Sequence, residues 1–164
     1  MVTTMAAYDI AAGTPDPELP MLTVADLGIL RAVDLTADGV VVTITPTYSG
    51  CPAMREISAD ITHRLTRAGC DRVAVRTQLA PPWSSDWITA DGRRKLAEAG
   101  IAPPSPAPRH PGPVPLTLSR SAPASCPRCG SSRTRQTAEF SATACRSLYR
   151  CETCGEPFEA VKSL

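Results

Sequence analysis

Residues 38–69, DGVVVTITPTYSGCPAMREISADITHRLTRAG, carry the local signals that set the architecture of the first half of the chain. The Asp38-Gly39 pair stands between two apolar runs, at 29–35 and 40–45, and this arrangement is typical of a β-hairpin. In the second run, large apolar residues alternate with Val41 and two threonines, which is the pattern of a half-buried strand. The stretch therefore begins with a strand that belongs to a sheet.

A helix follows this strand after the turn Thr45-Pro-Thr-Tyr-Ser-Gly-Cys51. Pro52 suits the first turn of a helix, because its missing N–H would have no partner there. Gly69 suits the C′ position that ends a helix, so the helix is predicted to cover 52–68. Its apolar face repeats at intervals of three and four residues: Met54, Ile57, Ile61, Leu65 and Ala68.

The flanking segments extend this unit into a small domain. A third strand, at 72–79, is stopped by two prolines, and a short helix follows with Thr89 or Asp91 as its cap. With a helix ahead of the hairpin, the predicted order is helix, β, β, α, β, α. We therefore expect an α+β fold, with a small three-stranded α/β domain at residues 1–100.

A proline-rich segment follows this domain. Eight of the chain's 17 prolines fall within residues 101–125, and this density prevents a helix or a central strand, because proline fixes φ and lacks a backbone donor. We interpret 101–125 as an extended linker and His110 as a solvated residue within it. The second domain is then predicted at 126–164.

The second domain carries two Cys-x-x-Cys-Gly motifs, separated by 21 residues. A Cys-x-x-Cys turn directs two sulfurs toward one ion, and the glycine permits the tight backbone turn that follows. Two such motifs supply the tetrahedral four-sulfur set of a structural zinc site. The predicted ligands are Cys126, Cys129, Cys151 and Cys154. Strands at Arg133–Phe140 and Leu148–Arg150 would complete a zinc ribbon.

Other interpretations of these cysteines stay open. A four-sulfur iron site of the rubredoxin type is the main competitor, and two disulfides or a redox-active pair are less favoured. Cys145 lies between the motifs and is not needed for a complete ligand set. It is either a packed small residue or an additional exposed thiol.

Cys51 is the candidate functional residue of the first domain. We expect it at the N-cap of the helix, where unpaired N–H groups and the positive end of the helix dipole stabilise a thiolate, with Arg55 one turn further on. The alternative is that Cys51 only caps and packs. His63 is about 18 Å along the helix, too far to serve as its base, and Cys70 is expected in the core. This thin inventory of acids and bases weighs against an enzyme.

Composition excludes several classes of protein. No apolar run approaches the roughly 20 residues of a membrane span, and residues 1–13 contain no Lys or Arg, so they do not resemble a secretory signal. We expect a cytoplasmic protein in which thiols stay reduced. A formal net charge of +1 gives no basis for broad binding to nucleic acid. The ribbon has several arginines but few aromatic residues for stacking bases.

Seven parts of the chain form a distinctive set: Asp16-Pro-Glu-Leu-Pro20, Asp26-Leu-Gly28, Thr45 to Pro52, Pro82-Trp-Ser-Ser-Asp-Trp87, Gly92-Arg-Arg-Lys-Leu96, Gly100-Ile-Ala-Pro-Pro104 and the C-terminal cysteine-rich module. Together they closely resemble the PaaD family, the D proteins of bacterial phenylacetate degradation. The first domain is similar to the iron–sulfur-assembly (SufT-like) type. In that type a cysteine matching Cys51 is the suspected reactive or metal-contacting group.

The resemblance implies a role beside phenylacetyl-CoA 1,2-epoxidase, a multicomponent monooxygenase with a di-iron oxygenase subunit and a reductase that carries flavin and a [2Fe–2S] cluster. It implies an accessory protein that is not itself an enzyme. Such a protein would assist assembly of an iron–sulfur cluster or iron centre on these partners, with transient iron or a cluster as cargo and structural zinc in the ribbon.

Two other functions remain as alternatives. The chain could be a structural or regulatory subunit of the oxygenase, in which Cys51 only packs. A nucleic-acid-binding zinc ribbon is the less favoured alternative, resting on Arg128, Arg133, Arg135, Arg146 and Arg150. The sequence leaves open whether the chain forms a homodimer.

Overall fold

A computed structural model of the chain describes residues 3–107 and 123–164. Its internal contacts divide the chain into two compact units. The first unit comprises Met1–Trp83 with Trp87–Gly92, and the second comprises Ser84–Asp86 with Arg93–Leu164. His110 and most of the predicted linker lie outside the described residues.

The first unit contains a three-stranded sheet and the helices that connect its strands. Its elements are α1 (Thr4–Ala12), β1 (Leu30–Thr36), β2 (Gly39–Ile44), α2 (Ala53–Arg67) and β3 (Val73–Thr77). A 3₁₀ turn (Ser85–Trp87) and α3 (Ala90–Glu98) follow, and α3 continues into the second unit. This order confirms the predicted sequence of elements. The strand order is β1-β2-β3, antiparallel between β1 and β2 and parallel between β2 and β3.

The predicted hairpin depends on the glycine at its turn. Gly39 has a φ of +128°, and a Cβ atom there would lie only 2.3 Å from the carbonyl oxygen of Arg72. The same carbonyl accepts a hydrogen bond from the N–H of Val40 at 2.9 Å, at the start of the β2–β3 ladder. Only glycine lets β2 begin this close to the chain entering β3.

The core of the first unit forms between the sheet and α2. Along β2, Val40, Val42 and Ile44 are buried, as the alternation predicted. On α2 the buried residues are Ala53, Ile57, Ile61 and Leu65, which confirms the centre of the predicted apolar face. The ends of that face differ, because Met54 is half-buried and Ala68 is exposed at the last turn. Thr89 caps α3, since its hydroxyl accepts a hydrogen bond from the N–H of Gly92 at 3.0 Å.

Two buried carboxylates organise the loop between α1 and β1. The Oδ1 atom of Asp16 accepts hydrogen bonds from the N–H groups of Glu18 and Leu19, at 2.9 and 2.8 Å. The Oδ2 atom of Asp26 accepts from the N–H and the hydroxyl of Thr23, at 2.9 and 3.0 Å. Both carboxylates therefore close turns of the loop.

The two tryptophans have different environments. Trp83 is buried, and its Nε1–H donates to the carbonyl of Leu27 at 2.9 Å, so it belongs to the core of the first unit. Trp87 is half-buried, and the guanidinium of Arg31 lies 3.7 Å from its ring centroid. A Cβ atom on Gly28 would lie 2.6 Å from the Cβ of Trp87, which explains the glycine at this position.

The second unit is a four-stranded sheet. Its strands are β4 (Ile101–Ala102), β5 (Thr134–Ala138), β6 (Arg146–Cys151) and β7 (Pro157–Val161), in the order β4-β7-β6-β5. The strands β5 and β6 confirm the two predicted ribbon strands. Its core is a small cluster in which the rings of Tyr149 and Phe158 stack with centroids 5.7 Å apart.

The start of the predicted linker instead belongs to the second unit. Ile101 and Ala102 form β4, which pairs in parallel with β7. Arg93 donates to the carbonyls of Pro104 and Ser85, at 2.6 and 2.8 Å. The proline count predicts an extended spacer at these residues, but the contacts hold them in the second unit. An edge strand is compatible with this, because it tolerates neighbouring prolines. Independent folding of 1–100 and 126–164 stays a prediction.

We expect Gly39→Ala to lower the free energy of unfolding by about 3 kcal/mol or more, because strained backbone and a clash with the backbone of Arg72 add together. Gly69→Ala is the matched control. Gly69 also has a positive φ, +93°, but nothing lies within 4 Å of the point where its Cβ would stand, so its loss should be about 1–2 kcal/mol. Urea unfolding followed by tryptophan fluorescence measures both. Equal losses would contradict the proposed clash.

Candidate functional site

The four predicted zinc ligands converge in the second unit. The Sγ atoms of Cys126, Cys129, Cys151 and Cys154 all lie within 4.8 Å of one another. Two of the separations are 3.8 Å, between Cys126 and Cys154, and 3.6 Å, between Cys129 and Cys151. Four sulfurs bound to one ion at about 2.3 Å in tetrahedral geometry would be about 3.8 Å apart. The thiol cluster therefore fits a zinc ion.

The two motifs form equivalent turns around this cluster. The N–H of Gly130 donates to the carbonyl of Cys126 at 2.8 Å, and the N–H of Gly155 donates to the carbonyl of Cys151 at 3.0 Å. Both glycines have a positive φ, +73° and +77°. The glycine after each motif thus closes the turn that directs two sulfurs to one point, as the sequence predicted.

The backbone around the cluster favours the charged form of one thiol. The hydrogen bond from the backbone of Cys154 lowers the pKa of Cys151 to about 6, and the backbone of Thr153 contributes as well. At Cys129 a backbone hydrogen bond from Ser131 lowers the pKa, but desolvation and the three neighbouring thiols raise it to about 12 overall. Four adjacent thiolates repel one another, so complete deprotonation requires a bound cation.

The cluster has an inner and an outer pair of thiols. Cys126 and Cys151 are buried and belong to the same core cluster as Tyr149 and Phe158. Cys129 and Cys154 are exposed. Because the apolar core of this unit is small, the ion ties the two turns to the strands and supplies folding energy that apolar burial alone would not.

Cys51 lies one residue further from α2 than predicted. The N-cap of α2 is Pro52, which makes no side-chain cap hydrogen bond. Cys51 closes a turn, since its N–H donates to the carbonyl of Tyr48 at 3.1 Å, and its own carbonyl accepts from the N–H of Met54 at 3.4 Å. This turn holds Cys51 outside the helix, so the predicted N-cap position was wrong. Its side chain is half-exposed beside the first turn of α2.

The remaining candidate residues of the first unit do not gather around Cys51. His63 is exposed on α2, and Cys70 is buried, which confirms its predicted place in the core. Thr45, at the start of the turn, stands out in the sequence only as the first residue of the segment from Thr45 to Pro52. It is 1% exposed, and its hydroxyl makes no hydrogen bond to any described residue. The sequence signal for this residue was a polar side chain placed directly after an apolar strand.

Two arginines of the ribbon have partners within their own unit. Arg146 is buried, and its guanidinium lies 2.5 Å from a carboxylate oxygen of Glu159. Arg128 forms an ion pair with Glu156, across the two cysteine motifs. Paired arginines offer little charge to phosphates, so these contacts weaken the nucleic-acid interpretation. Cys145 is half-exposed, as Cys51 is, and its Sγ lies 3.2 Å from the hydroxyl of Thr143.

Fold and site together define a two-part protein. Its first part is a three-stranded α/β unit with a half-exposed thiol before a helix, and its second part is a four-cysteine zinc ribbon. Two family models match these parts. The model described as "Iron-sulfur cluster assembly protein" matches residues 13–76, and the model described as "PaaD zinc beta ribbon domain" matches residues 110–162.

Two named relatives give further evidence of the family to which the chain belongs. An Escherichia coli (strain K12) protein, provisionally named as a subunit of 1,2-phenylacetyl-CoA epoxidase, is 43% identical over 150 residues, which cover 92% of this chain and 87% of that protein. The chain therefore belongs to the PaaD family. A Porphyromonas gingivalis (strain ATCC BAA-308 / W83) protein named "Fe-S protein maturation auxiliary factor" is 35% identical over 83 residues, 49% of this chain and 78% of that protein.

A solved structure supports the fold of the first unit. The crystal structure of a domain of unknown function, DUF59, from Bacillus anthracis superposes with a TM-score of 0.53 at 25% identity. It covers 57% of this chain and 90% of that one. Within residues 3–107 and 123–164, none of the helices has the length and apolar character needed to cross a membrane.

We expect Cys126→Ser to abolish zinc binding and unfold the ribbon, because three thiolates leave the tetrahedral site incomplete and the small core cannot compensate. Elemental analysis measures the zinc. Near-ultraviolet circular dichroism reports the stacked Tyr149 and Phe158, and fluorescence of Trp83 reports the first unit, which should stay folded. Cys145→Ser is the control and should retain zinc. A folded Cys126→Ser ribbon without metal would contradict a structural role for the ion.

Proposed function

We propose that this chain is a maturation factor for a phenylacetyl-CoA epoxidase, assisting the assembly of an iron–sulfur cluster or iron centre on the oxygenase components. The observation that carries the proposal is the position of Cys51. It is a half-exposed thiol on the turn before α2, inside the segment that matches iron–sulfur cluster assembly proteins. Iron or a cluster would be cargo at this thiol, and zinc would stay in the ribbon.

The environment of Cys51 suits temporary binding of a soft metal. A thiolate is the form of cysteine that binds metal, and the N-terminal end of a helix favours it. The other cysteine of the first unit, Cys70, is buried beyond the far end of α2, so it cannot join Cys51 as a second ligand. A site with one thiolate from this chain holds iron weakly, which suits transfer to a partner better than storage.

The relatives favour this function over independent catalysis. One is named as a subunit of a phenylacetyl-CoA epoxidase and the other as an auxiliary factor in iron–sulfur protein maturation. Neither name describes an enzyme acting alone. Within the chain, His63 is exposed on α2, twelve residues after Cys51, where it cannot serve that thiol as a base.

The ribbon offers a surface for contacting the oxygenase components. Phe140 is 61% exposed just after β5, and the Nζ of Lys162 lies 3.9 Å from its ring centroid. An exposed aromatic ring beside a cation is a common anchor in protein interfaces. We assign contact with the reductase or the di-iron subunit to this end of the chain.

A structural or regulatory subunit is the second candidate. The name of the Escherichia coli relative, which describes it as a subunit, favours this alternative. In that case Cys51 would only pack, and the chain would co-purify with the oxygenase at fixed stoichiometry.

We expect Cys51→Ser to lower both the epoxidation rate and the iron content of a co-expressed epoxidase, because the transfer site has lost its thiolate. The measurements are turnover of phenylacetyl-CoA and iron and sulfide analysis of the purified reductase and di-iron subunit. Cys145→Ser, at another half-exposed thiol, should change neither. If Cys51→Ser leaves activity and iron content unchanged, maturation through this thiol is wrong and the structural subunit takes its place.

A second experiment tests Cys51 without the oxygenase. The full chain, purified without oxygen and loaded with zinc, is incubated with ferrous iron and sulfide, beside Cys51→Ala. We expect iron to bind the wild type in addition to zinc and to be lost from Cys51→Ala, with zinc content equal in both. Alkylation should also be faster at Cys51 than at Cys70 or Cys145, because it combines exposure with the helix terminus. Equal iron binding by both proteins would contradict a role for Cys51 in holding iron.

A further inference from the structure

The sheet of the first unit has a second face, opposite its core. Because side chains alternate along β2, Val41 and Thr43 lie on this face, while Val40, Val42 and Ile44 lie in the core. Val41 and Thr43 are half-buried in the centre of the sheet. We use the name outer face for the residues that share this side: Ala32, Asp34, Thr36, Val41, Thr43, Arg72, Ala74 and Arg76.

The strand register orders the outer face by charge. Val41 pairs with Asp34 on β1 and with Ala74 on β3, and Thr43 pairs with Arg76 on β3. An acidic residue therefore stands on the β1 edge of the sheet, Val41 and Thr43 on the central strand, and Ala74 with a basic residue, Arg76, on the β3 edge. Arg72, at the entry to β3, adds a second positive charge to the basic edge. Together these strands line an open trough of about 480 Å³.

The charges on the two edges are not neutralised within the chain. Asp34, Arg72 and Arg76 are all exposed. Among residues 3–107 and 123–164, none of these three side chains has an ion-pair or hydrogen-bond partner, although other surface charges, such as Arg64 with Asp60, do. An uncharged, half-buried centre between charged edges matches the usual anatomy of a protein interface, in which charged residues are depleted from the core and placed at the rim.

We propose that the outer face joins two copies of this chain in a symmetric dimer. Consider a two-fold axis lying between two facing sheets and running along β2. It places β1 of one copy over β3 of the other, so Asp34 of each copy faces the basic edge of its mate, at the level of Ala74, and the two Val41 side chains meet in the middle. An axis across the strands would instead place β1 over β1 and bring like charges together. The charge pattern therefore favours a second copy of this chain as the partner and determines how the two copies are oriented.

The size of the face sets the strength of the contact. Three strands about 4.8 Å apart and five residues long present a surface of about 15 by 17 Å. This is below the area of standard stable interfaces, so the dimer should be weak and depend on concentration. The proposal does not depend on the role of Cys51, because the outer face shares no residue with the turn that holds it.

Charge reversal tests the proposal on the zinc-loaded full chain. Sedimentation velocity over about 5 to 500 µM should show the wild type changing from monomer to dimer. Asp34→Arg and Arg76→Asp should each raise the dissociation constant at least about tenfold, because each places like charges together at both ends of the interface. The double variant, with both substitutions, restores opposite charges and should return the constant to within about threefold of the wild type.

Two matched controls separate a specific contact from general charge effects. Asp9→Arg on α1 and Arg67→Asp on α2 make the same charge changes at exposed positions away from the outer face. They should leave the dissociation constant unchanged, and circular dichroism should show every variant folded. A wild type that stays monomeric up to about 500 µM would overturn the proposal. So would a dimer that both single reversals leave intact, or one that the double variant fails to restore.

Discussion

The parallel pairing of β2 with β3 is the constraint on which the first unit depends. Two parallel strands cannot be joined by a tight turn, so the chain must leave the end of β2, cross over the sheet and return. Here α2 makes that crossover, and its apolar side, with Ile57, Ile61 and Leu65, becomes the core. The turn that carries Cys51 connects the end of β2 with the start of α2. The position of the thiol follows from this connection.

In the second unit a metal site takes the place that a larger core would fill. Two cysteine turns, separated by 21 residues in sequence, bring four sulfurs close enough to bind one ion, and their inner thiols extend the cluster around Tyr149 and Phe158. The strand β4 and the hydrogen bonds of Arg93 enlarge this small unit with residues that precede the first ribbon cysteine, Cys126, by more than 20 positions. The Ser85 N–H and the Ser84 hydroxyl both donate to the carbonyl of Leu164, at 3.0 and 3.2 Å. Much of the Trp83–Trp87 motif therefore serves the architecture of the chain.

The two kinds of thiol in this protein suit two different tasks. The ribbon surrounds an ion with four sulfurs, which leaves no open coordination position and suits a permanent structural role. Cys51 is a single half-exposed thiol beside a helix terminus, which suits temporary contact with a metal. Under the proposed function, this separation means that the fold of the chain does not depend on the iron that it passes on.

Sequence patterns predicted the elements whose signals are local. The Asp38-Gly39 hairpin, the alternation along β2, the apolar repeat of α2 and the four zinc ligands all follow from neighbouring residues, and each has a counterpart in the structure. Tertiary contacts were needed for the rest. The strand at Ile101 and Ala102 is too short, and too close to the prolines that follow it, to give a local signal, and it forms by pairing with β7. Cys51 lies outside the helix because its N–H donates to the carbonyl of Tyr48, which closes the turn before α2. The charge pattern of the outer face appears only when β1, β2 and β3 are placed in register, since Asp34 and Arg76 are 42 residues apart in sequence and lie on the two strands that flank β2.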